Sequence, residues 1–331
     1  MKKLVVLLMA CLMLTSVFAG CGESNGASSN GASKEGASKD AEMKIGFTIS
    51  DRDQFMSSVE TAVKNKCEEL GIKGQYQDAQ KDVQKQIDQI KTYAEQGFDA
   101  ILVIPVEAKS VEAMVDAANG VPLIFICRLL NPEDESFYEA GKVMGVGTDE
   151  NQAGQLQAEY LTSYFGDKKD LTAAVLMGVM GAPNTIQRTE SALAGLESEG
   201  FKADVAFQDT AEWDRAKAME KIQNFIGVGK DLDVVISNND EMALGAIEAL
   251  KAVGKKPGEI AVVGVDATPD GCNAIREGWL NASAFQDAVA EGEGAVDLAI
   301  KVHEGETVDE VIFIPFKLVT KENVDTFQDE K

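Results

Sequence analysis

Short apolar runs of strand length alternate with amphipathic helical stretches from residue 44 almost to the end of the chain, and that alternation leaves few folds open. Residues 44–49 (KIGFTI) form the first such run. Behind them Phe55, Val59, Ala62, Val63, Cys67 and Leu70 fall on one face of a helix that Gly71 stops. Val83, Ile87, Ile90 and Ala94 repeat the helical spacing up to Gly97. Further strands are expected at 100–104 (AILVI), 122–127 (PLIFIC), 143–147, 173–177, 203–207, 234–237, 260–265 and 282–285, with 311–314 as the last. Helices are expected at 111–118, 151–165, 187–199, 213–226, 242–253, 270–277 and 291–304. Elements of these lengths in this order imply an α/β fold of parallel sheets covered by helices on both faces, joined by right-handed crossovers. The 331 residues suggest two such bodies rather than one.

The first 42 residues follow a different logic. Lys2 and Lys3 precede an apolar stretch, 4–18, that is broken only by Thr15 and Ser16. It is shorter than the ~20 residues of a spanning helix, so it reads as the core of an export signal over residues 1–20. Ala19-Gly20-Cys21 then resembles a bacterial lipobox, with Phe18 where leucine is usual; the resemblance implies cleavage before Cys21 and lipidation of its thiol. Residues 21–42 are Gly, Ala, Ser and Asn with scattered charge in loose G-A-S repeats, the composition of a disordered tether. The expected location is the outer face of the cell membrane or a periplasm.

Formal charge is −24, which repels phosphate backbones and anionic lipid and argues against a nucleic-acid partner. Of five cysteines, Cys11 and Cys21 belong to the export segment. Cys67, Cys127 and Cys272 are an odd number with no C-x-x-C spacing, so they are read as buried small apolar residues. No P-loop or GxGxxG fingerprint calls for a cofactor. The lone histidine, His303, is expected away from any cleft, which disfavours an enzyme.

Open parallel sheets bind ligands beyond the carboxyl ends of their strands. There the sequence places Asp53 and Phe55 after the first strand, Arg128 after PLIFIC, Asn184 and Arg188 after 173–177, Asn239 after 234–237, Asp266 after 260–265, and Gln286 after 282–285. Trp213 opens a helix on the same edge. Carboxylates, amides and guanidinium groups serve paired hydroxyls, and Phe55 and Trp213 offer flat apolar plates for the C–H faces of a sugar ring. Asp and Asn after strands are also ordinary helix N-caps, and Asp240 and Asp270 are read that way.

Residues 43–328 resemble the type I periplasmic sugar-binding proteins. The resemblance is carried by DTAEWDRAKAMEKIQNFI (209–226), VVISNNDEMALGAIEALKA (234–252), VVGVDATPDG (262–271), VGTDENQAG (146–154) and IPFKLVTKENVD (314–325). In motifs it is nearest the galactose/glucose-binding branch. The resemblance implies two similar lobes joined by three crossings near 147–149, 286–288 and 314–316. Lobe one is 43–147 plus 288–313, and lobe two 148–287 plus 314–331. It also implies hinge closure on a small sugar or polyol, and an ABC permease as membrane partner. By the same resemblance Asp53 and Arg188 bind sugar hydroxyls, Phe55 and Trp213 are the plates, and Asn239 and Asp266 belong to the N-N-D and G-V-D motifs. Arg128 sits where many relatives are basic, and Gln286 stands for an asparagine.

Four further positions depart from the galactose/glucose pattern. Ile104 falls where those proteins have an asparagine, Ala182 and Asn184 replace a histidine and an aspartate, and Cys127 replaces a polar residue. The cleft is thus expected to be less polar on its lobe-one side, and a hexose, a pentose or a polyol all fit. The short loop 166–170 lacks the alternating oxygen ligands of that branch's calcium site, so no metal is expected. The expected protein is a monomer, and an alternative partner to the permease is a chemoreceptor or sensor kinase.

Overall fold

The computed structural model describes residues 42–129, 137–227, 229 and 231–327. The export signal, Cys21 and most of the tether lie outside the described residues.

The first sheet is built from β1 (Lys44–Ile49), β2 (Lys73–Asp78), β3 (Ala100–Val103), β4 (Leu123–Cys127) and β5 (Val143–Gly147), and is completed by β11 (Val311–Phe313). Its strand order is β11-β5-β4-β3-β1-β2, with every pairing parallel. Helices α1 (Gln54–Glu69) and α9 (Ala288–His303) cover one face; α2 (Val83–Glu95) and α3 (Val111–Ala118) cover the other. The alternation of a strand between faces is plain in β3. Ala100 and Leu102 join the α1/α9 core, while Ile101 and Val103 join the α2/α3 core.

The second sheet repeats the plan with β6 (Asp170–Met177), β7 (Lys202–Thr210), β8 (Val234–Ser237), β9 (Ala261–Asp266), β10 (Ala282–Phe285) and β12 (Lys317–Thr320). Its order is β12-β10-β9-β8-β6-β7. Its helices are α4 (Glu150–Phe165), α5 (Pro183–Ser198), α6 (Arg215–Gly227), α7 (Asp240–Ala252) and α8 (Pro269–Glu277). Four pairings are parallel, and β12 runs antiparallel to β10. The chain passes between the sheets after β5, after β10 and after β11. The expected pair of doubly wound lobes is therefore present.

Two strands depart from the sequence reading. β2 (KGQYQD) has no apolar run to announce it: it is an edge strand whose side chains are half-buried or exposed. The last strand is β12 rather than 311–314, and as an antiparallel edge it too buries little. Helix starts also shift. α5, α7 and α9 begin earlier than 187, 242 and 291; the first residues of α5 and α7 are polar or proline and escape an apolar period, while α9 opens on Ala288-Val289-Ala290 behind its cap Asp287.

The reading of Asp240 and Asp270 as N-caps is wrong. Asn239 caps α7 by accepting from the Met242 amide, and Thr268 caps α8 by accepting from Gly271. Asp240 is instead fully buried, accepting from Ser283 Oγ at 2.7 Å and the Thr268 amide at 2.9 Å. A Cβ on Gly264 or Gly271 would lie 2.2 or 2.0 Å from its carboxylate oxygens, so both positions need glycine. Burial pushes the Asp240 carboxyl up to about 7. Cys67, Cys127 and Cys272 are all buried, as read.

Candidate functional site

The carboxyl ends of the two sheets face one narrow cavity between the lobes. It encloses about 360 Å3 of non-atom space, part of it open to solvent, at the low end of small-molecule sites. All nine residues singled out from the sequence line it: Asp53, Phe55, Arg128, Asn184, Arg188, Trp213, Asn239, Asp266 and Gln286. Met56, Cys127 and Glu150 complete the wall.

From lobe one, Asp53 caps α1. Its Oδ1 accepts the Met56 amide at 2.7 Å, and its Oδ2 has no partner among the described residues. Burial raises the Asp53 carboxyl above its usual range despite that bond. Arg128 is tied by Nη1 to the Pro105 carbonyl at 3.0 Å and lies 3.9 Å from Asp51. Just before it Cys127 adopts a positive φ of 63°, which turns the chain at the end of β4.

Lobe two supplies a more connected set. The Arg188 guanidinium on α5 is 4% exposed. Its Nε donates to Glu150 Oε2 at 2.5 Å, Nη1 to the Asn238 carbonyl at 2.8 Å, and Nη2 to Gln286 Oε1 at 2.9 Å. Asp266 Oδ1 lies 3.8 Å from Nη1. Burial works against the Arg188 charge, but Glu150 and Asp266 more than offset it, so the guanidinium stays firmly protonated. Three of its five N–H groups are engaged by these hydrogen bonds, leaving two for Asp266 or a ligand. Burial likewise drives the Asp266 carboxyl well up, with Arg188 opposing and Asp240 and Asp53 adding to the rise.

Two aromatic groups enter from opposite lobes. Phe55 is largely buried in the first turn of α1. Trp213, in the loop after β7, has φ 64° and lays its ring over Gly178, where a Cβ would fall 2.0 Å from the indole. The Arg188 guanidinium sits 5.9 Å from the Trp213 ring centroid and 5.7 Å from that of Phe316. Asp266 has φ 107°, so three wall residues (Cys127, Trp213 and Asp266) hold left-handed backbone, the kind of strain that gathers at functional sites.

Glu150 was missed by the sequence reading, which began its helix one residue later. The TDEN stretch after β5 offered two acids there; only the fold shows that Asp149 caps α4 while Glu150 turns inward to Arg188. Ile104, expected to matter as a lost hydroxyl-binding position, is buried in the α1/α9 core and does not reach the cavity. His303 ends α9 beside Asp99, just before β3 and so at the amino-terminal end of the strands, away from the cavity. Among the described residues no group of three His, Cys, Asp or Glu could hold a metal ion, and no helix is long and apolar enough to cross a membrane.

At the mouth the lobes touch directly. Gln54 Nε2 donates to Asp270 Oδ2 at 2.7 Å, the Asp270 amide reaches Gln54 Oε1 at 3.4 Å, and Arg215 holds the same carboxylate at 2.9 Å.

A sequence model of the periplasmic binding protein domain matches residues 45–307. The chain belongs to the periplasmic binding protein family. It is similar to a putative rhizopine-binding protein of Rhizobium meliloti, 35% identical over 285 residues, covering 83% of this chain and 89% of the relative. It is also similar to the ribose import binding protein of Bacillus subtilis, 31% identical, covering 85% and 88%. Among solved structures, an ABC transporter solute binding protein from Bacillus halodurans with bound myo-inositol superimposes with a TM-score of 0.80 at 34% identity, covering 88% of this chain and 98% of that one. The family resemblance and the two-lobed fold expected from the sequence therefore both stand.

Proposed function

We propose that this chain is the extracytoplasmic solute-binding protein of an ABC importer and captures a monosaccharide or polyol between its lobes. The observation that carries this reading is the convergence of Asp53, Arg128, Asn184, Arg188, Asn239, Asp266 and Gln286, with Phe55 and Trp213, on one interlobe cavity. Such a wall pairs charged donors and acceptors with ring hydroxyls, each such bond contributing about 1.5–3 kcal/mol. Asp53 and Asp266 accept from hydroxyls, the spare Arg188 N–H groups and the Asn239 amide donate, and the two aromatic groups receive the C–H faces. The Gln54–Asp270 contact forms as the lobes close, and the closed face is what a membrane permease engages. The lipobox-like segment makes Cys21 the proposed lipid anchor, and the chain works as a monomer.

The relatives favour cyclic polyols and pentoses at least as strongly as the hexoses suggested by the sequence motifs. The test is a thermal-shift screen of residues 43–331 with D-galactose, D-glucose, D-ribose, xylitol and myo-inositol. One strong hit that Asp53→Ala or Trp213→Ala sharply reduces is the expected result, since ligand at 100 times its Kd stabilises by about 2.7 kcal/mol. Ligand-free protein that responds to no sugar or polyol removes the carbohydrate reading.

A further inference from the structure

Behind the cleft, one carboxyl group that the binding scheme does not use is completely enclosed. Glu291, in the first turn of α9, has no exposed surface. Its Oε1 accepts the Gln286 Nε2 amide at 2.9 Å. Its Oε2 is buried with no hydrogen-bond partner among the described residues, and the Cys127 thiol is a close neighbour of the carboxyl group. Gln286 in turn offers its Oε1 to Arg188 Nη2 at 2.9 Å.

An amide has an accepting end and a donating end, whereas a guanidinium only donates. Arg188 on one side therefore demands the Gln286 oxygen, and Glu291 on the other takes its NH2 group. The reversed amide would set NH2 against Arg188 and oxygen against the carboxyl. Gln286 lies on the crossing after β10, Arg188 in lobe two and Glu291 on a lobe-one helix. We propose that Glu291 is a positioning residue of the cleft: Arg188 sets which end of the Gln286 amide faces it, and Glu291, from α9, holds the other end in place and through it braces the Arg188 guanidinium, without touching the ligand. The consequence for binding rests on the function proposed above; the orientation of the amide does not.

The groups facing Glu291 are Cys127 at the end of β4, Glu150 at the start of α4, Arg188 on α5 and the neutral amide of Gln286. The α1 surface behind α9 is apolar, with Val59, Ala62 and Val63 against Gly292. Burial is the main reason the Glu291 carboxyl is pushed up to about 8; its contacts with Cys127 and Gln286 pull it down, Glu150 raises it further, and Arg188 opposes. At neutral pH the group carries a proton and is a neutral acceptor for the Gln286 NH2. Above that range it becomes another carboxylate beside an Arg188 already engaged by Glu150 and approached by Asp266, and the guanidinium is drawn between them.

Two measurements decide this. Without ligand, the side-chain NH2 signals of Gln286 in a 15N-labelled protein are expected to titrate with a midpoint near the alkaline value given above in wild type, and to stay fixed in Glu291→Gln, which copies the protonated acid. NH2 signals that ignore pH in wild type, or move equally in Glu291→Gln, overturn the proposal. With myo-inositol as probe, calorimetry should show the wild-type Kd rising about tenfold from pH 7 to 9 and the Glu291→Gln Kd staying flat. Glu291→Leu should weaken binding by about tenfold or more at every pH. A wild-type Kd as flat as that of Glu291→Gln overturns the link to binding. Absence of myo-inositol binding by wild type counts against the function proposed above, and the NMR titration still decides the role of Glu291.

Discussion

The two lobes offer the cleft very different surfaces. Lobe two brings Glu150, Asn184, Arg188, Asn239 and Asp266, with the guanidinium already fastened at three points. Lobe one brings two charged side chains, Asp53 and Arg128, set among Phe55, Met56 and Cys127. Asp53 is held only by its own helix cap and Arg128 by a loop carbonyl. A surface whose donors are fixed before a ligand arrives loses little entropy on binding, and lobe two has that surface while lobe one does not.

The sharpest test of that asymmetry is the pair of arginines. Arg188→Met strips the counter-charge from buried Glu150 and Asp266 and is expected to cost about 3–5 kcal/mol of stability along with binding. Arg128→Met loses one loop carbonyl at 3.0 Å and a carboxylate at 3.9 Å but leaves no fully buried charge unpaired, and should cost about 1.5 kcal/mol of stability. Equal losses in denaturant unfolding would break the comparison.

Next come the aromatics. Phe55 is packed into the lobe-one core, so Phe55→Ala should cost about 3 kcal/mol of stability in ligand-free protein. Trp213 is half-buried over Gly178, and Trp213→Ala should leave the melting temperature of ligand-free protein nearly unchanged while removing about 2 kcal/mol of ligand affinity.

A pH series sharpens the same contrast at the crossing. Glu291 keeps its proton up to about 8 in the folded chain. In the unfolded chain a glutamate loses it near about 4.3. Between those values the native state binds more protons, so wild-type stability falls as pH rises through the window and levels off above it. The melting-temperature advantage of Glu291→Gln over wild type should grow from pH 6 to 8 and then stop growing.

The smallest effect is expected at the mouth. Gln54→Ala removes the direct contact with Asp270 at a residue that does not itself line the cavity, and should raise the Kd of a bound polyol about fivefold by lowering the closed population. A change in Kd with no change in the ligands accepted separates closure from recognition.

Much of this molecule could be read from sequence because buried parallel strands are apolar on both faces. KIGFTI, LIFIC and VVIS declare themselves without help from their neighbours. KGQYQD and KLVT do not, since an edge strand is defined by the backbone it pairs with rather than by what its side chains bury. The nine cleft residues were legible for a related reason: strand ends point at ligands in open α/β sheets, and polar residues there stand out against apolar runs. Glu150 and Glu291 were not. Each sits in a helical first turn, where acids are common as dipole partners. Whether such an acid faces water or a buried arginine is set by packing between segments more than thirty residues apart, as with Glu150 and Arg188.

The three crossings also govern when the chain can fold. Lobe one lacks α9 and β11 until residues 288–313 are available, and lobe two lacks β12 until 317–320. The α1/α9 core, with Ala295, Val296, Leu298 and Ala299, stays half-built while residues 148–287 are still being added. Lobe one has no finished core to nucleate on early, and its β5–β11 pairing is the most distant in sequence among the described strand pairings, which slows folding. The first lobe of a polypeptide wired this way stays incomplete until nearly its whole length has been made.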